Sequence, residues 1–121
     1  MARDATELLN DILRSVDDIL EYVAGLDRDA FLGLPDADGK TYRAIKNAIS
    51  EMGEAIKGLP KEITDRHPSV DWRGLAALRD VIAHQYHRVD MEMLWPVVHE
   101  ELPAFAQELE NEVRRQASKP T

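Results

Sequence analysis

Leu8-Leu9-Asn10-Asp11-Ile12-Leu13-Arg14-Ser15-Val16-Asp17-Asp18-Ile19-Leu20 decides the fold class. Its apolar residues recur three and four positions apart, and Val23 continues the series. That period predicts a helix over Thr6 to Ala24 with one apolar stripe, which Gly25 ends. The same period returns at Tyr42, Ile45, Ala48, Ile49, Met52, Ala55, Ile56 and Leu59. A second long helix is therefore expected from about Thr41 to Leu59, closed by Gly58 and Pro60. Asp71 suits the N-cap of a third helix, Trp72 to His87, and Asp90 that of a fourth, Met91 to His99. Pro96 should kink the fourth helix or end it early. Pro103 fits the first turn of a last helix reaching about Arg115. Residues 26–40 and 61–70 read as connectors with room for one helical turn each, and Pro35-Asp36-Ala37-Asp38-Gly39 is strong turn chemistry. No stretch sustains a period of two. The expected fold is all-α, an antiparallel helical bundle of four main helices plus a shorter C-terminal helix. The whole of residues 1–121 is expected to form a single domain, ordered from about residue 4 to residue 115, with a frayed tail.

With 121 residues, 44% hydrophobic and 31% charged, the composition is that of a globular chain. Cysteine is absent, which removes disulfides, thiolate nucleophiles and zinc–thiolate sites, and fits a reducing cytosol. The N-terminus lacks the continuous apolar core of a signal peptide. No apolar run approaches the ~20 residues that span a bilayer. The expected location is cytoplasmic, away from any membrane. A net charge of −8 argues against a protein that coats nucleic acid through a broad basic surface, and leaves room for a small local site or a basic protein partner.

The residues with chemistry gather in Arg79-Asp80-Val81-Ile82-Ala83-His84-Gln85-Tyr86. A guanidinium fork holds phosphate, and an imidazole moves a proton near neutral pH. Together they are the groups that metal-free phosphodiester cleavage requires. On a helical wheel Leu75, Leu78, Val81 and Ile82 form the core face, opposite Arg79, Asp80, His84 and His87. Tyr86 falls at the border within about 20° of Arg79. Ala76 and Ala83 lie among the polar group and permit close approach of another helix. Arg79 and His84 diverge by about 140°, so one regular helix does not aim both at one phosphate. Two copies about a two-fold axis would bring the arginine of one to the histidine of the other, with one His84 as base and the second as acid. Asp80, one turn before His84, is placed to orient its ring.

The pattern Arg79-x-x-x-x-His84-x-Tyr86 resembles the signature of the HepT-like toxins, a branch of the HEPN ribonuclease superfamily. The resemblance extends from about Leu8 to Leu109. It includes Gly53-Glu54-Ala55 in the second helix, His67-Pro68-Ser69-Val70-Asp71-Trp72-Arg73 leading into the third, then Val89-Asp90, Trp95 and Leu102-Pro103. Gln85, where the family often has Gly, and His87 depart from the pattern without removing a chemical group. The resemblance implies a HEPN-like bundle and a cytoplasmic, homodimeric, metal-independent endoribonuclease of a toxin–antitoxin pair. It implies Arg79 and His84 as the catalytic pair, with Asp80 as the polar residue beside the arginine. The implied partner is a minimal nucleotidyltransferase (MNT) antitoxin that silences the toxin by transferring AMP from ATP to Tyr86. No bound cofactor is implied.

Other groupings read more plainly. Asp80, His84 and His87 have a spacing compatible with a metal site, but a solvated face accounts for them, and no metal is expected. Asn47, Glu51 and Glu54 form a polar edge on the second helix. Trp72 and Trp95 read as packing residues, His67 as a loop residue and His99 as a surface one. Beside the RNA-cleaving toxin stand two alternatives: a non-catalytic nucleotide- or partner-binding dimer, and a purely structural helical dimer.

Overall fold

The computed structural model describes residues 4–85 and 87–118. Among the described residues eight α-helices follow in order: α1 (Ala5–Val23), α2 (Arg28–Leu32), α3 (Leu34–Ala37), α4 (Gly39–Lys57), α5 (Lys61–Asp65), α6 (Trp72–His84), α7 (Met91–Pro96) and α8 (Leu102–Ala117). A π-helical turn, Val97–Glu101, joins α7 to α8. There is no strand among the described residues.

Aspartates start the helices. Asp4, Asp27, Asp38, Asp71 and Asp90 accept backbone N–H bonds from Thr6, Ala30, Thr41, Gly74 and Met93, at 2.8 to 3.2 Å. Each cap satisfies an N–H that the helix cannot, a contribution of about 1 kcal/mol. Asp38 also accepts from the Thr41 hydroxyl, so α4 begins at Gly39, two residues before the expected start. The proline-containing turn before it is itself helical, as α3. Gly25, at φ +81°, takes the left-handed conformation that stops α1.

The apolar stripes meet as their spacing predicted, in an antiparallel bundle. α4 lies between α1 and α6, and α8 packs against α1. Leu9, Ile12, Ile19, Ile45, Ile49, Met52, Leu94, Leu102 and Leu109 are fully enclosed. Each contributes roughly 1.5–3 kcal/mol of burial. The expected helices at Met91–His99 and Pro103–Arg115 run into one another instead of separating, and the last is the longer of the two, because of the π turn. Pro103 has no N–H, and its ring would meet the carbonyl four residues back in an α-helix. The widened turn, closed by the Leu102 N–H on the Val97 carbonyl, accommodates it.

α6 lies unusually close to α4. A Cβ built on Gly53 would stand 2.9 Å from both the Ala76 carbonyl oxygen and the Arg79 Cβ. Ala76 is thus buried against α4 of its own chain, and is not free to admit another helix.

A buried ionic cluster ties the α5–α6 connector to α8. Glu112 is 1% exposed. It accepts from Arg66 Nε at 3.1 Å, Arg66 Nη2 at 2.7 Å and Gln116 Nε2 at 2.6 Å. His67 places Nε2 2.8 Å from Glu112 and Nδ1 2.6 Å from Glu108. His67 is a loop residue as expected, but its ring is almost enclosed. The Trp72 indole N–H donates to the Thr64 and His67 carbonyls, and its ring meets Phe105 edge-on at 5.3 Å. Burial alone would raise the Glu112 pKa. The hydrogen bonds from Arg66, His67 and Gln116, with the Arg66 charge, outweigh it and hold the carboxyl at about 2.

Two outcomes follow from this packing. Gly53→Val should destabilise the protein by about 1–3 kcal/mol, because the contacting atoms are helix backbone and Cβ. Gly39→Ala, which meets only the flexible end of Arg43, should be near neutral; urea unfolding midpoints compare them. Glu112 has a folded pKa near 2 against an ordinary 4.5, so its ionisation contributes about 3 kcal/mol above pH 4.5. That contribution is lost as pH falls from 4.5 through 2. The stability gap between wild type and Glu112→Gln, followed by chemical denaturation, should be full at pH 6 and close toward pH 2; a gap independent of pH would contradict the ionised cluster.

Candidate active site

Arg79 sits where α6 crosses Gly53. Its Cβ rests on the glycine, and its guanidinium emerges beside Glu54 of α4, with Nε 3.1 Å from Oε2. Nη1 lies 3.8 Å from Asp80 Oδ1, and Lys57 Nζ stands 3.7 Å from the same oxygen. The result is an alternating row: Glu54, Arg79, Asp80, Lys57. These side chains are 42 to 65% exposed, so each pair contributes about 0–1 kcal/mol. Such weak pairs orient the guanidinium without committing it, and an incoming phosphate can displace the carboxylates.

On its other flank Arg79 borders a groove of about 440 Å³ between α4 and α6. Arg43, Lys46, Asn47 and Ser50 line it from α4, and Ile82 and Ala83 from α6. Lys46 Nζ rests 4.4 Å from the centre of the Tyr42 ring.

His84 is the last residue of α6. Its ring is exposed and takes part in no hydrogen bond or ion pair among the described residues. The structure therefore brings Arg79 and Asp80 together but leaves His84 apart. The Asp80 carboxylate faces Lys57 and Arg79, and makes no hydrogen bond to the His84 ring. Since α6 is regular from Trp72 to His84, the divergence of about 140° between Arg79 and His84 stands.

The helix expected to reach His87 stops three residues earlier. Gln85 leaves helical geometry, at φ −95° and ψ 40°, and its side-chain oxygen accepts from the Asp90 N–H at 2.9 Å. The following chain is held firmly. The Val89 N–H donates to the buried Tyr42 hydroxyl at 2.8 Å. Arg88 forks onto Asp36 at 2.8 and 3.1 Å, and those hydrogen bonds hold the Asp36 carboxyl below its usual range. The helical wheel consequently ends at His84. His87 does not share a helix face with Asp80 and His84. No group of three His, Asp or Glu side chains able to hold a metal occurs among the described residues. Tyr86 lies outside the described residues.

Both tryptophans pack within the chain. Trp95 lies 5.3 Å from Phe31 and stacks on His99 at 4.6 Å. Sequence reasoning missed Lys57, Arg43 and Lys46. The spacing of Arg43, Lys46, Asn47 and Ser50 on one face of α4 was a readable signal, but it looks like any solvated face until α6 is set beside it.

The family model described as "Ribonuclease HepT-like" matches residues 12–112. The chain is 32% identical over 112 residues to "Putative RNase MJ0127" of Methanocaldococcus jannaschii, spanning 93% of this chain and 89% of that protein. It is 33% identical over 105 residues to "Probable ribonuclease HepT" of Thermococcus cleftensis, spanning 87% and 92%. No solved structure gives a significant match. The matched span runs from α1 to α8 and contains all of α6 with the groove beside it, and on these matches the chain belongs to the HepT-like ribonuclease family.

Proposed function

We propose that this protein is a cytoplasmic, metal-independent endoribonuclease, the toxin of a toxin–antitoxin pair, acting as a homodimer with residues 1–121 as one domain. The observation that carries the reading is the pairing on one helix of an accessible, loosely held guanidinium with an accessible imidazole that has no internal partner. An arginine whose carboxylate pairs are this exposed is available to phosphate, and a solvent-facing imidazole is available to protons.

The divergence of Arg79 and His84 favours two copies. α6 leaves a strip uncovered within the chain: Arg73, Ala77 and His84 are exposed and Val81 half-buried, at helical spacing. Ala77, not Ala76, is the small residue on that strip. Two copies related by a two-fold axis near the C-terminal end of α6 would bring the Arg79 of one toward the His84 of the other, with two imidazoles at one phosphate. One His84 takes the proton of the ribose 2′-hydroxyl as its oxygen attacks phosphorus. The partner copy's His84 gives a proton to the departing 5′-oxygen. Arg79 stabilises the charge growing on the phosphoryl oxygens, with Asp80 and Glu54 orienting its fork. The products are a 2′,3′-cyclic phosphate and a 5′-hydroxyl.

Control is assigned to Tyr86 and an MNT nucleotidyltransferase partner. Tyr86 follows His84 by two residues in the sequence, so AMP attached to it is added next to the proposed catalytic histidine along the chain. The added phosphate competes for Arg79, and the adenosine obstructs RNA.

His84→Ala should lower cleavage by about 10²–10⁴-fold, with Arg79→Ala comparably damaging, and EDTA should have no effect. Full activity on RNA whose attacking 2′-hydroxyl is methylated, or abolition by EDTA, would overturn the chemistry. RNA binding without any cleavage would move the protein to the class of non-catalytic binding modules. A partner nucleotidyltransferase with ATP should add AMP mass at Tyr86 and stop cleavage, whereas Tyr86→Phe should resist silencing. Mass spectrometry locating the adduct on another residue would defeat that assignment.

A further inference from the structure

The chain carries a net charge of −8, yet the balance of charge differs in sign between the two grooves beside α4. Toward α1, the groove of about 740 Å³ is lined by three acids, Asp11, Glu51 and Glu54, and one cation, Arg14. Toward α6, the groove of about 440 Å³ is lined by Arg43, Lys46 and Arg79, and no carboxylate lines it. Arg28, Lys57, Lys61, Arg66 and Arg88 each pair with an acid, whereas Arg14, Lys40, Arg73, Arg114 and Arg115 form no ion pair among the described residues. Arg43 and Lys46 form no ion pair among the described residues; Lys46 has only the Tyr42 ring beneath it. Cations without an internal acid are ready for an external anion. They are also where a polyanion gains most, since no internal pair must be broken and each neutralised phosphate releases a counterion.

The arrangement is linear. Arg43, Lys46, Asn47 and Ser50 follow one another along one face of α4 over about 10 Å. Arg79 closes the row from α6, and Ile82 supplies an apolar wall. A row of cations and neutral donors along a groove is how proteins follow the backbone of a single strand, phosphates on the charges.

We propose that this groove is the track for the sugar–phosphate backbone of single-stranded RNA, with Arg43 and Lys46 holding phosphates that flank the one addressed by Arg79. The inference rests on the reading of Arg79 as the residue at the scissile phosphate. Arg43 and Lys46 are positioning residues: they select single-stranded, multi-phosphate substrates and leave the bond-making to others. A small basic track also explains how an acidic protein takes a polyanion without a broad basic surface.

The test is fluorescence anisotropy with a labelled single-stranded RNA, on a His84→Ala background so that the RNA stays intact, across a series of salt concentrations. Adding Arg43→Gln and Lys46→Gln should weaken binding about ten-fold and reduce the slope of log K against log salt by about 1.4, or about 0.7 per lost phosphate contact. Lys61→Gln, which removes a cation from α5 outside the groove, should leave the slope unchanged. The exchange Arg43→Lys with Lys46→Arg should retain it, which separates lost charge from lost fold. An unchanged slope in the double glutamine variant overturns the proposal, and is also the result if the groove serves an acidic protein partner instead. Cleavage of the same RNA by the wild-type protein, run in parallel, keeps the two readings apart. Cutting with an unchanged slope sinks the track alone, whereas no cutting sinks the roles given to Arg79 and His84.

Discussion

The missing side chain at Gly53 sets the distance between α4 and α6, and much of the candidate site is a consequence of that distance. With the Ala76 carbonyl and the Arg79 Cβ against the glycine, the arginine stem is fixed at its root while its charged end stays in solvent. Glu54, the next residue on α4, is thereby brought within reach of the guanidinium. The same approach turns two separate polar helix faces into the walls of one groove. Side chains of ordinary size at the crossing would hold the helices at the usual 8–10 Å or more and open that groove into a flat surface.

Close packing in the middle of α6 would achieve little if its ends could swing. They are held by polar bonds, each satisfied. At the N-terminal end, Trp72 is fixed by two carbonyls and by Phe105, and the chain before it by the Glu112 cluster. A buried carboxylate with its partners gives no general advantage in stability over apolar packing, because desolvation consumes the Coulombic gain. Its effect here is geometric: it joins the connector to α8 in one arrangement. At the C-terminal end, Tyr42, Asp36 and Gln85 hold the segment that leads into α7. α6 is therefore anchored at both ends and at its crossing, while the strip bearing His84 stays bare.

The long helices were legible because burial of one stripe imposes a period, and their starts because aspartate caps are short-range chemistry. Asp71 and Asp90 cap as their positions suggested. The rest depended on partners distant in sequence. The end of α6 was misplaced because nothing near Gln85 announces that its side chain will take the Asp90 N–H. Ala76 looked free because its neighbour, Gly53, lies on another helix. His67 looked like an ordinary loop residue because the acids that enclose it come 41 and 45 positions later. In the site, Arg79, Asp80 and His84 were visible as a local pattern. Arg43 and Lys46 needed the third dimension, since only the packing of α4 on α6 distinguishes a lined groove from a solvated face.

The π turn makes the C-terminal span intolerant of added length. An α-helix widened at one turn behaves as though one residue had been inserted, and everything downstream is rotated by about 100° relative to an uninterrupted helix. Phe105, Leu109 and Glu112 all lie downstream of it. A further single insertion within residues 97–101 would therefore turn two core side chains and the buried carboxylate away from their partners together, whereas a single deletion would only return the turn to α-helical geometry. The spacing between Trp95 and Glu112 thus acts as a ruler, joining the packing at one end of the bundle to the ionic lock at the other.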